Sequence, residues 1–460
     1  MIPRHGAREV DPVRLREPSQ FHFSKRIAPN RLMKAAMTER MSSWSPVDSE
    51  NRGIPSLELV NLYKRWGESS VGVILTGNIM VDNTNLEAPG NATIPADAPF
   101  SGTRFERFKA LATASKAHGS LILGQMSHPG RQVNIKLSPN PVSASDVHLD
   151  REIWGMKFGK PHAASLYEIQ NIINTFTHSA EFLFKAGFDG IQVHGAHGYL
   201  LAQFLSQQTN QRTDIYGGSL RNRARIIIEI AQSIRRKVPV SSGFILAIKL
   251  NSVEFQDKGF SPEECRELCQ LLEHEAHFDF VELSGGTYED TAFEHKRAST
   301  KNREAFFLEF AEAIVPVLSK TKVYVTGGFL TVAAMETALK TVDGVGLART
   351  LCAEPHLASD IVSGRIRSGA INAGLSQYDY GMTEVVAGVQ MRQIGNDRAP
   401  IDLTKEDNLK AFETSVAKWE RDLEADSEAM TLYGYPDIDG ADLPPFNVAN
   451  ARSFPKPMLV

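Results

Sequence analysis

The sequence predicts an α/β protein folded as a single (β/α)8 TIM barrel with an extended C-terminal segment. Three observations lead to this expectation. Apolar runs of strand length recur about eight times, which is the pattern of parallel strands buried on both faces. A longer stretch with helical spacing of apolar residues follows these runs. An open sheet of that many strands would need topological reversals that the sequence does not show, so a closed barrel is favoured.

The predicted strands are short runs rich in apolar residues. They are RLMKAAM from Arg31, VGVILTG from Val71, SLILGQM from Ser120, GIQVHGA from Gly190, FILAIKL from Phe244, FDFVELS from Phe278, KVYVTGG from Lys322 and GVGLAR from Gly344. Two crossover helices are also distinct, one from Leu166 to Ala186 and one from Leu220 to Val238. Strand and helix therefore alternate in the order that a barrel requires.

The barrel is expected to span residues 21–365. Residues 366–460 are expected to form a C-terminal extension packed on the barrel, not an independent domain. A helix is predicted after Thr404, and its apolar stripe is more typical of packing than of partner binding. The stripe consists of Leu409, Phe412, Val416, Trp419 and Leu423. Residues 131–165 follow the third strand, on the face where barrel active sites form, and we expect a partial lid there.

Composition excludes several classes of protein. The chain has 460 residues with a formal net charge of -4, and no block of lysine or arginine offers a nucleic-acid surface. The N-terminal residues have no apolar core resembling a signal peptide, and no apolar run approaches about 18 residues, so no membrane partner is expected. Cys265, Cys269 and Cys352 are too few for a disulfide framework or an iron-sulfur cluster. We expect a cytoplasmic protein that acts on a small molecule, and a homodimer is compatible with the sequence.

Polar residues stand where the apolar runs stop, and in this fold catalytic groups come from those strand ends. The candidates are Thr38, Gln125, His194, His197, Tyr199, Lys249, Gly327, Gly328 and Arg349. The heptad HGAHGYL at 194–200 places two imidazoles and a phenol at the barrel mouth. Neutral histidines can polarise a conjugated carbonyl, and a tyrosine can deliver a proton to the resulting carbanion. A structural His pair and a metal site are the alternatives, although no third ligand lies at an evident spacing.

The last two strand ends are typical of a phosphate site. Gly327 and Gly328 let backbone N–H groups approach a phosphate, and Arg349 supplies a charge-assisted clamp. No G-x-G-x-x-G sequence follows a strand, so a phosphate-bearing ligand in the barrel mouth is favoured over a Rossmann dinucleotide site. Lys249 lies in a buried strand, where an anionic reduced flavin would give it a partner; a lysine that caps the strand is the alternative. The amide of Gln125 would be satisfied by the edge of a flavin.

The segment HGAHGYLLAQFLSQQTNQRTDIYGGSLRNRARIIIEI, residues 194–230, resembles the signature of the old yellow enzyme family. Further similarity lies, in order, in NRLMKAAMT from Asn30, GQMSHPGRQ from Gly124, AIKLN from Ala247, VTGGF from Val325 and ARTLCAEP from Ala348. Together these motifs cover residues 21–360. The resemblance implies a barrel that holds FMN noncovalently and uses NAD(P)H as its hydride donor.

The resemblance also implies which residues bind FMN. They are Ala35, Ala36, Met37, Thr38, Asn78, Gln125, Lys249, Gly327, Gly328, Ala348 and Arg349. The Thr38 hydroxyl would lie near flavin O4, Gln125 at the pyrimidine edge and Lys249 near N1 and O2. His194 and His197 would bind the carbonyl or nitro oxygen of the substrate, and Tyr199 would be the proton donor.

The sequence departs from the family pattern at three of these positions. Ala36 stands where many relatives have proline, Asn78 where a small residue is usual, and Lys249 where arginine is commoner. No departure removes a group that the chemistry needs, although Asn78 can reshape the flavin pocket or add a hydrogen bond.

The expected function is that of an FMN-dependent NAD(P)H oxidoreductase of the ene-reductase type. In a ping-pong reaction NAD(P)H would reduce FMN and leave, and an enone, enal or nitroalkene would take hydride from flavin N5 at its β-carbon. Tyr199 would then protonate the α-carbon. One alternative is the same flavin scaffold acting on a specialised secondary-metabolite intermediate, by reduction or double-bond isomerisation. A noncatalytic flavin or phosphate-ligand binder and a colourless phosphate-sugar isomerase barrel are the rivals.

Overall fold

The structure is a computed structural model. It describes residues 4–6, 8–153, 156–252, 254, 259–285, 308–372, 380–441 and 443–446. Eight parallel strands form a closed barrel, in which the first strand pairs with both the eighth and the second. The strands are β1 (Leu32–Lys34), β2 (Val73–Met80), β3 (Leu121–Ser127), β4 (Gly190–Gly195), β5 (Ile245–Asn251), β6 (Phe280–Ser284), β7 (Lys322–Thr326) and β8 (Gly344–Leu347). The predicted fold class and all of the predicted strands are confirmed.

The barrel interior is apolar in its lower part. Its side chains come from alternate positions of the strands and from Phe21, which stacks on Phe280 with ring centroids 5.5 Å apart. Tyr324 reaches into the same cluster and passes so close to Gly344 that a Cβ there would lie 2.1 Å from the tyrosine ring. The opposite faces of the strands pack against the helices, which makes these strands buried on both sides and explains their continuous apolar runs.

The helices surround the barrel. They are α1 (Leu57–Gly67), α2 (Gly102–Lys116), α3 (Leu166–Lys185), α4 (Leu200–Leu205), α5 (Leu220–Arg223), α6 (Arg225–Lys237), α7 (Pro262–Glu275), α8 (Leu308–Ile314), α9 (Val332–Ala338), α10 (Thr350–Ala353), α11 (Leu357–Val362), α12 (Tyr380–Gly395) and α13 (Glu406–Ala425). The predicted helix from Leu166 is confirmed as α3, and a capping box between Ser165 and Glu168 begins it. Within the described ranges, no helix has both the length and the apolar character to cross a membrane.

The predicted helix from Leu220 to Val238 is divided into α5 and α6 at Ala224. The N–H groups of Ile227 and Ile228 both donate to the Ala224 carbonyl, so the chain tightens locally into a shorter turn. The buried Arg223 is tied at this point to the Leu205 carbonyl and to Glu264. These long-range partners explain why spacing within the segment alone did not predict the division.

Short strands outside the barrel lie in the connections. The segment predicted as a partial lid contains a parallel pair and an antiparallel pair and joins β3 to α3. The short strands outside the barrel are Ser19–Gln20, Ile27–Ala28, Ala92–Thr93, Val142–Ser143, Glu152–Ile153, Met156–Lys157 and His162–Ala163. Short 3-10 helices span Val240–Ser242 and Val315–Val317.

The C-terminal segment contributes α12 and α13. Helix α12 packs on α1 and α10, and Gly388 lets it approach Tyr435, whose ring would lie 2.3 Å from a Cβ at that glycine. The helix predicted after Thr404 is confirmed as α13. Phe412 and Val416 of its apolar stripe are buried in the main core, and the ring of Trp419 lies 6.3 Å from that of Tyr435. The stripe therefore packs within the chain.

Candidate active site

The carboxyl ends of the eight strands meet at one mouth of the barrel, because all of them run parallel. The sequence-predicted residues therefore converge on one face. Gln125 lies within β3, His194 within β4 and Lys249 within β5, and the register pairs His194 with Lys249. All three side chains are buried, with exposed fractions of 5% or less.

Three rings of the HGAHGYL heptad form one cluster at this mouth. The His194 ring lies 4.5 Å from the Tyr199 ring and 5.2 Å from the His197 ring, both in edge-on geometry. Tyr199 is the residue that precedes α4, and its side chain is buried. The end of β4 and the turn into α4 thus bring together the imidazoles and the phenol predicted from sequence.

The protonation state of the two imidazoles follows from their surroundings. Burial, with a second contribution from the positive charge of Lys249, holds the pKa of both His194 and His197 well below the usual range. The Ala196 N–H donates to His194 Nδ1 over 3.3 Å, which leaves the proton of the neutral ring on Nε2. At neutral pH the site therefore presents uncharged imidazoles, and His194 Nε2 is a hydrogen-bond donor.

His197 is held by the strands that follow β4. Its backbone φ of +57° is in the left-handed region, and its N–H donates to Asn251 Oδ1 at the end of β5 over 3.1 Å. Its ring nitrogen Nε2 lies 2.9 Å from Ser284 Oγ at the end of β6. These contacts fix the position of the imidazole relative to the barrel mouth.

A row of four polar side chains crosses the barrel interior next to this cluster. Gln125 Nε2 donates to Gln192 Oε1 over 2.7 Å, and Gln192 Nε2 donates to Glu282 Oε2 over 2.8 Å. The other carboxylate oxygen, Oε1, lies 3.2 Å from Lys249 Nζ. Glu282 has no exposed surface. We refer to Gln125, Gln192, Glu282 and Lys249 as the interior polar row.

The structure places Thr38 and Asn78 against protein partners. The Thr38 hydroxyl donates to Glu87 Oε2 and accepts from Asn91 Nδ2, each over 3.1 Å. Asn78 Oδ1 accepts from the Ser127 hydroxyl over 2.6 Å, and the β2–β3 register is irregular immediately before it. The single hydroxyl proton of Thr38 is therefore directed to Glu87.

The segment after β1 continues along the mouth. Ala35 is buried and its N–H donates to the Leu347 carbonyl over 2.8 Å, whereas Ala36 and Met37 are half-buried. Met37 Sδ lies 3.6 Å from Cys352 Sγ. These residues form one wall of the mouth beside β8.

The residues predicted to bind a phosphate lie at the ends of β7 and β8. Gly328 has a φ of +66°, and a Cβ added there would meet no atom within 4 Å, so its backbone faces open space next to Gly327. Ala348 and Arg349 follow β8 and are half-buried. Arg349 Nη1 donates to the Thr383 hydroxyl in α12. A basic side chain and an accessible glycine backbone thus lie at neighbouring strand ends.

These donors fit FMN. After its bond to Gln192, the Gln125 amide retains one N–H and its carbonyl oxygen, which matches the mixed donors and acceptors of the flavin pyrimidine edge. Lys249 adds a buried cation on β5, and the open Gly328 backbone with Arg349 suits a phosphate. The residues present therefore agree with a flavin mononucleotide at the barrel mouth.

Sequence reasoning missed several residues that contact the predicted ones. They are Glu87, Asn91, Gln192, Asn251, Glu282, Ser284, Thr383 and Tyr435. A signal existed for Gln192 and Glu282, because each is a polar residue inside an apolar strand run. No local signal pointed to Thr383 or Tyr435, which come from distant parts of the chain.

The chain is similar to known flavin oxidoreductases. Residues 17–367 match the model of the NADH:flavin oxidoreductase / NADH oxidase family. The NADH-dependent flavin oxidoreductase nadA of Aspergillus parasiticus is 52% identical over 412 residues, which cover 89% of this chain and 92% of that protein. The NADH-dependent flavin oxidoreductase iccE of Talaromyces variabilis is 35% identical over 375 residues, covering 75% of this chain and 87% of the relative.

Among solved structures, morphinone reductase superposes with a TM-score of 0.61 at 20% identity, over 82% of this chain and 94% of that one, which supports the barrel fold. The match to the family model and the two relatives settle the family. The chain belongs to the NADH:flavin oxidoreductase family, that of the old yellow enzymes, and is an oxidoreductase with FMN as cofactor and NAD(P)H as electron donor.

Proposed function

We propose that this oxidoreductase reduces the activated C=C bond of α,β-unsaturated carbonyl or nitro compounds. The observation that carries the proposal is the ring cluster of His194, His197 and Tyr199 at the barrel mouth. It combines neutral hydrogen-bond donors with a phenol in one buried site. A reaction that places negative charge on an oxygen and needs a proton at carbon uses both.

The imidazoles act on the substrate oxygen. His194 Nε2–H donates to a carbonyl or nitro oxygen, because the Nδ1 atom already accepts from the Ala196 N–H. His197 lies beside it, and Ser284 and Asn251 fix its orientation. These donors stabilise the negative charge that develops on the oxygen as the β-carbon accepts hydride, and the buried site strengthens this effect.

Tyr199 supplies the proton. Its ring packs edge-on against His194, so the phenol is held close to the group that binds the substrate oxygen. A phenol carries an O–H group whose proton it can donate to the α-carbon as a general acid. Its position is fixed by the start of α4, since the Gln203 N–H donates to the Tyr199 carbonyl over 2.8 Å.

The cofactor site is assigned to the residues around this cluster. Ala35, Ala36, Met37, Thr38 and Asn78 would line the ring system, and Gln125 and Lys249 would bind its pyrimidine edge. Gly327, Gly328, Ala348 and Arg349 would hold the phosphate. When bound there, FMN supplies a hydride from its N5 atom. The chain's own residues then determine how the acceptor is oriented and protonated.

The electron donor is proposed to be NADH. Both relatives described above are named NADH-dependent flavin oxidoreductases, and the chain spans most of their length. Their names leave the electron acceptor unspecified, so a dedicated intermediate of secondary metabolism is the principal alternative to a simple enone.

An anaerobic spectral titration tests the proposal. The purified protein is expected to be yellow, to lose its flavin absorption on addition of NADH, and to regain it when 2-cyclohexenone is added. NADPH in place of NADH compares the two donors. Flavin that NADH bleaches but neither 2-cyclohexenone nor a nitroalkene reoxidises would refute the proposed substrate class and favour a dedicated acceptor. A protein that FMN cannot reconstitute would overturn the cofactor assignment as well.

A further inference from the structure

The interior polar row connects Gln125 and Lys249, the two residues proposed to face the cofactor. Gln125 and Lys249 are its ends, and Gln192 and Glu282 lie between them. Gln192 on β4 reaches Glu282 on β6 past the intervening strand β5, so the contact crosses the barrel interior. Glu282 has no exposed surface and Gln192 none either. Water therefore does not compete for these hydrogen bonds.

The carboxylate determines which way each amide points. An ionised carboxylate only accepts hydrogen bonds, so Gln192 must direct its NH2 group at Glu282. The carbonyl oxygen of Gln192 then faces β3, where it can accept only from the NH2 group of Gln125. Gln125 is left with its carbonyl oxygen and one N–H for the barrel mouth. Without an acceptor-only group next to Gln192, both amides could rotate by 180°.

The same carboxylate also balances the charge of Lys249. Its Oε1 atom lies 3.2 Å from the ammonium group as an ion pair and, among the described residues, accepts no well-aligned hydrogen bond. In a buried site, two opposite charges at this distance reduce each other's effect on a third charge. Reduced flavin is anionic, so a balanced Lys249 stabilises it less than an unbalanced one would.

We propose that Glu282 is a positioning residue for the cofactor, which orients the Gln125 amide through Gln192 and limits the stabilisation of reduced FMN by Lys249. This inference rests on the proposed placement of FMN at Gln125 and Lys249. Glu282 lies outside the proposed FMN and substrate contacts, yet it would control two separate quantities. One is the affinity for FMN in either redox state, and the other is the ratio of the two affinities.

The substitution Glu282→Gln removes the charge and nearly preserves the shape. We expect the ratio of reduced to oxidised FMN affinity to rise about tenfold, which corresponds to a midpoint potential about 30 mV more positive for a two-electron couple. The potential is measured by anaerobic titration against a reference dye. An unchanged potential in a variant that binds FMN would refute the charge part of the proposal.

Two further variants separate charge from orientation. Lys249→Met combined with Glu282→Gln removes both charges, and its potential is expected to return toward that of the unmodified protein. Gln192→Met interrupts the amide row but keeps the ion pair. It is expected to weaken binding of oxidised and reduced FMN by a similar factor of about ten, with no change in potential. Unchanged FMN affinity in Gln192→Met, measured by fluorescence titration of the apoprotein, would refute the orientation part.

Glu273→Gln is the matched control. Glu273 is also a buried carboxylate, but it accepts the N–H groups of Ser319, Lys320 and Thr321 away from the mouth. The Glu273→Gln substitution should lower the stability of the protein without changing the midpoint potential of FMN. If Glu282→Gln does not fold, Gln192→Met still tests the orientation part. Glu282→Asp then tests the charge part: its shorter side chain moves the carboxylate away from Lys249, so the potential is expected to rise part of the way, and an unchanged potential would refute that part. Failure of the unmodified protein to bind FMN would instead refute the cofactor assignment, so the two failures are distinguishable.

Discussion

Arg349, at the end of β8, donates a hydrogen bond from Nη1 to the hydroxyl of Thr383 in α12. The proposed phosphate clamp is thus attached to the C-terminal segment. Glu384, the next residue in α12, interacts electrostatically with the same region. Burial raises its pKa, and the positive charges of Arg40 and Arg349 partly offset that rise. Tyr435 reaches the Thr38 carbonyl from the same segment, at 3.5 Å. The segment beyond the barrel therefore contacts Arg349 and Thr38, two of the residues proposed to bind FMN.

This relationship predicts the effect of Thr383→Val. Loss of the hydroxyl leaves the guanidinium of Arg349 without one of its hydrogen-bond acceptors, and a bond to a charged group contributes about 1.5 kcal/mol or more. We expect FMN affinity to fall about tenfold, as measured by fluorescence titration of the apoprotein, and Arg349→Ala to lower it further. Thr414→Val, on the exposed face of α13, is the control and should leave affinity unchanged. Equal FMN affinity in Thr383→Val and the control would show that α12 does not position the clamp.

Substitution of Tyr199 tests the proton donor. Tyr199→Phe keeps the ring that packs on His194 and removes only the hydroxyl. The rate of flavin reoxidation by 2-cyclohexenone is expected to fall by about 10²-fold or more, because a positioned general acid contributes on that scale. The rate of flavin reduction by NADH should stay the same, since that half-reaction needs no proton at carbon. Stopped-flow absorbance measures both rates, with Tyr167→Phe on the exposed start of α3 as control.

If Tyr199→Phe slows both half-reactions equally, the phenol serves nucleotide binding or packing and is not the specific proton donor. Flavin reoxidation at the original rate in Tyr199→Phe would refute the assignment of Tyr199 as proton donor.

The pH dependence of stability tests the state of the two imidazoles. Their native pKa values are depressed, first by burial and then by Lys249, whereas the unfolded chain has a value of about 6.5. Below pH 6.5 the unfolded chain binds more protons, so the free energy of unfolding falls as the pH falls toward the native pKa values. Each imidazole contributes a slope of up to about 1.4 kcal/mol per pH unit.

The double substitution of His194 and His197 by glutamine should therefore make this decline shallower. Urea unfolding of the FMN-saturated protein at pH 5.5 and 7.0 measures the difference. His118→Gln, in an exposed turn, is the control. A decline as steep in the double variant as in the unmodified protein would mean that these imidazoles are not held neutral in the folded state.

The strands were predictable because each is buried on both faces, so a continuous apolar run marks it. FILAIKL, for example, was predicted from Phe244 and forms β5 from Ile245 to Asn251. The division between α5 and α6 was not predictable, because its cause is the contact of Arg223 with the Leu205 carbonyl, 18 residues earlier in the chain. Local spacing carries no information on such a partner.

The candidate site shows the same distinction. His194, His197 and Tyr199 lie within six residues of one another, so a single motif brought them to attention. Their partners come from other strands: Asn251 ends β5 and Ser284 ends β6. Thr38 illustrates the limit most clearly. Its position after β1 was predictable, but the direction of its hydroxyl depends on Glu87, a residue in the loop after β2.

Lys34 on β1 gives a last prediction, on stability. Its ammonium group donates to the Leu75 carbonyl over 2.8 Å and lies 4.2 Å from the centre of the Trp66 ring. Burial lowers the pKa of Lys34 to about 8, although nearby Glu39 opposes the shift. Between pH 8 and the unfolded value of about 10.4, only the unfolded chain binds this proton. The free energy of unfolding therefore gains up to about 3 kcal/mol from this residue as the pH rises through that window.

Lys34→Met removes this titration while keeping the length of the side chain. Urea unfolding is measured at pH 7.5 and pH 10. The free energy of unfolding of the variant should fall relative to that of the unmodified protein by about 2 to 3 kcal/mol as the pH rises. Lys109→Met, on the exposed surface of α2, is the control for loss of a lysine and should show no such trend. A constant difference between Lys34→Met and the unmodified protein across this range would mean that the buried ammonium keeps its proton. The contacts with Leu75 and Trp66 would then compensate fully for its removal from water.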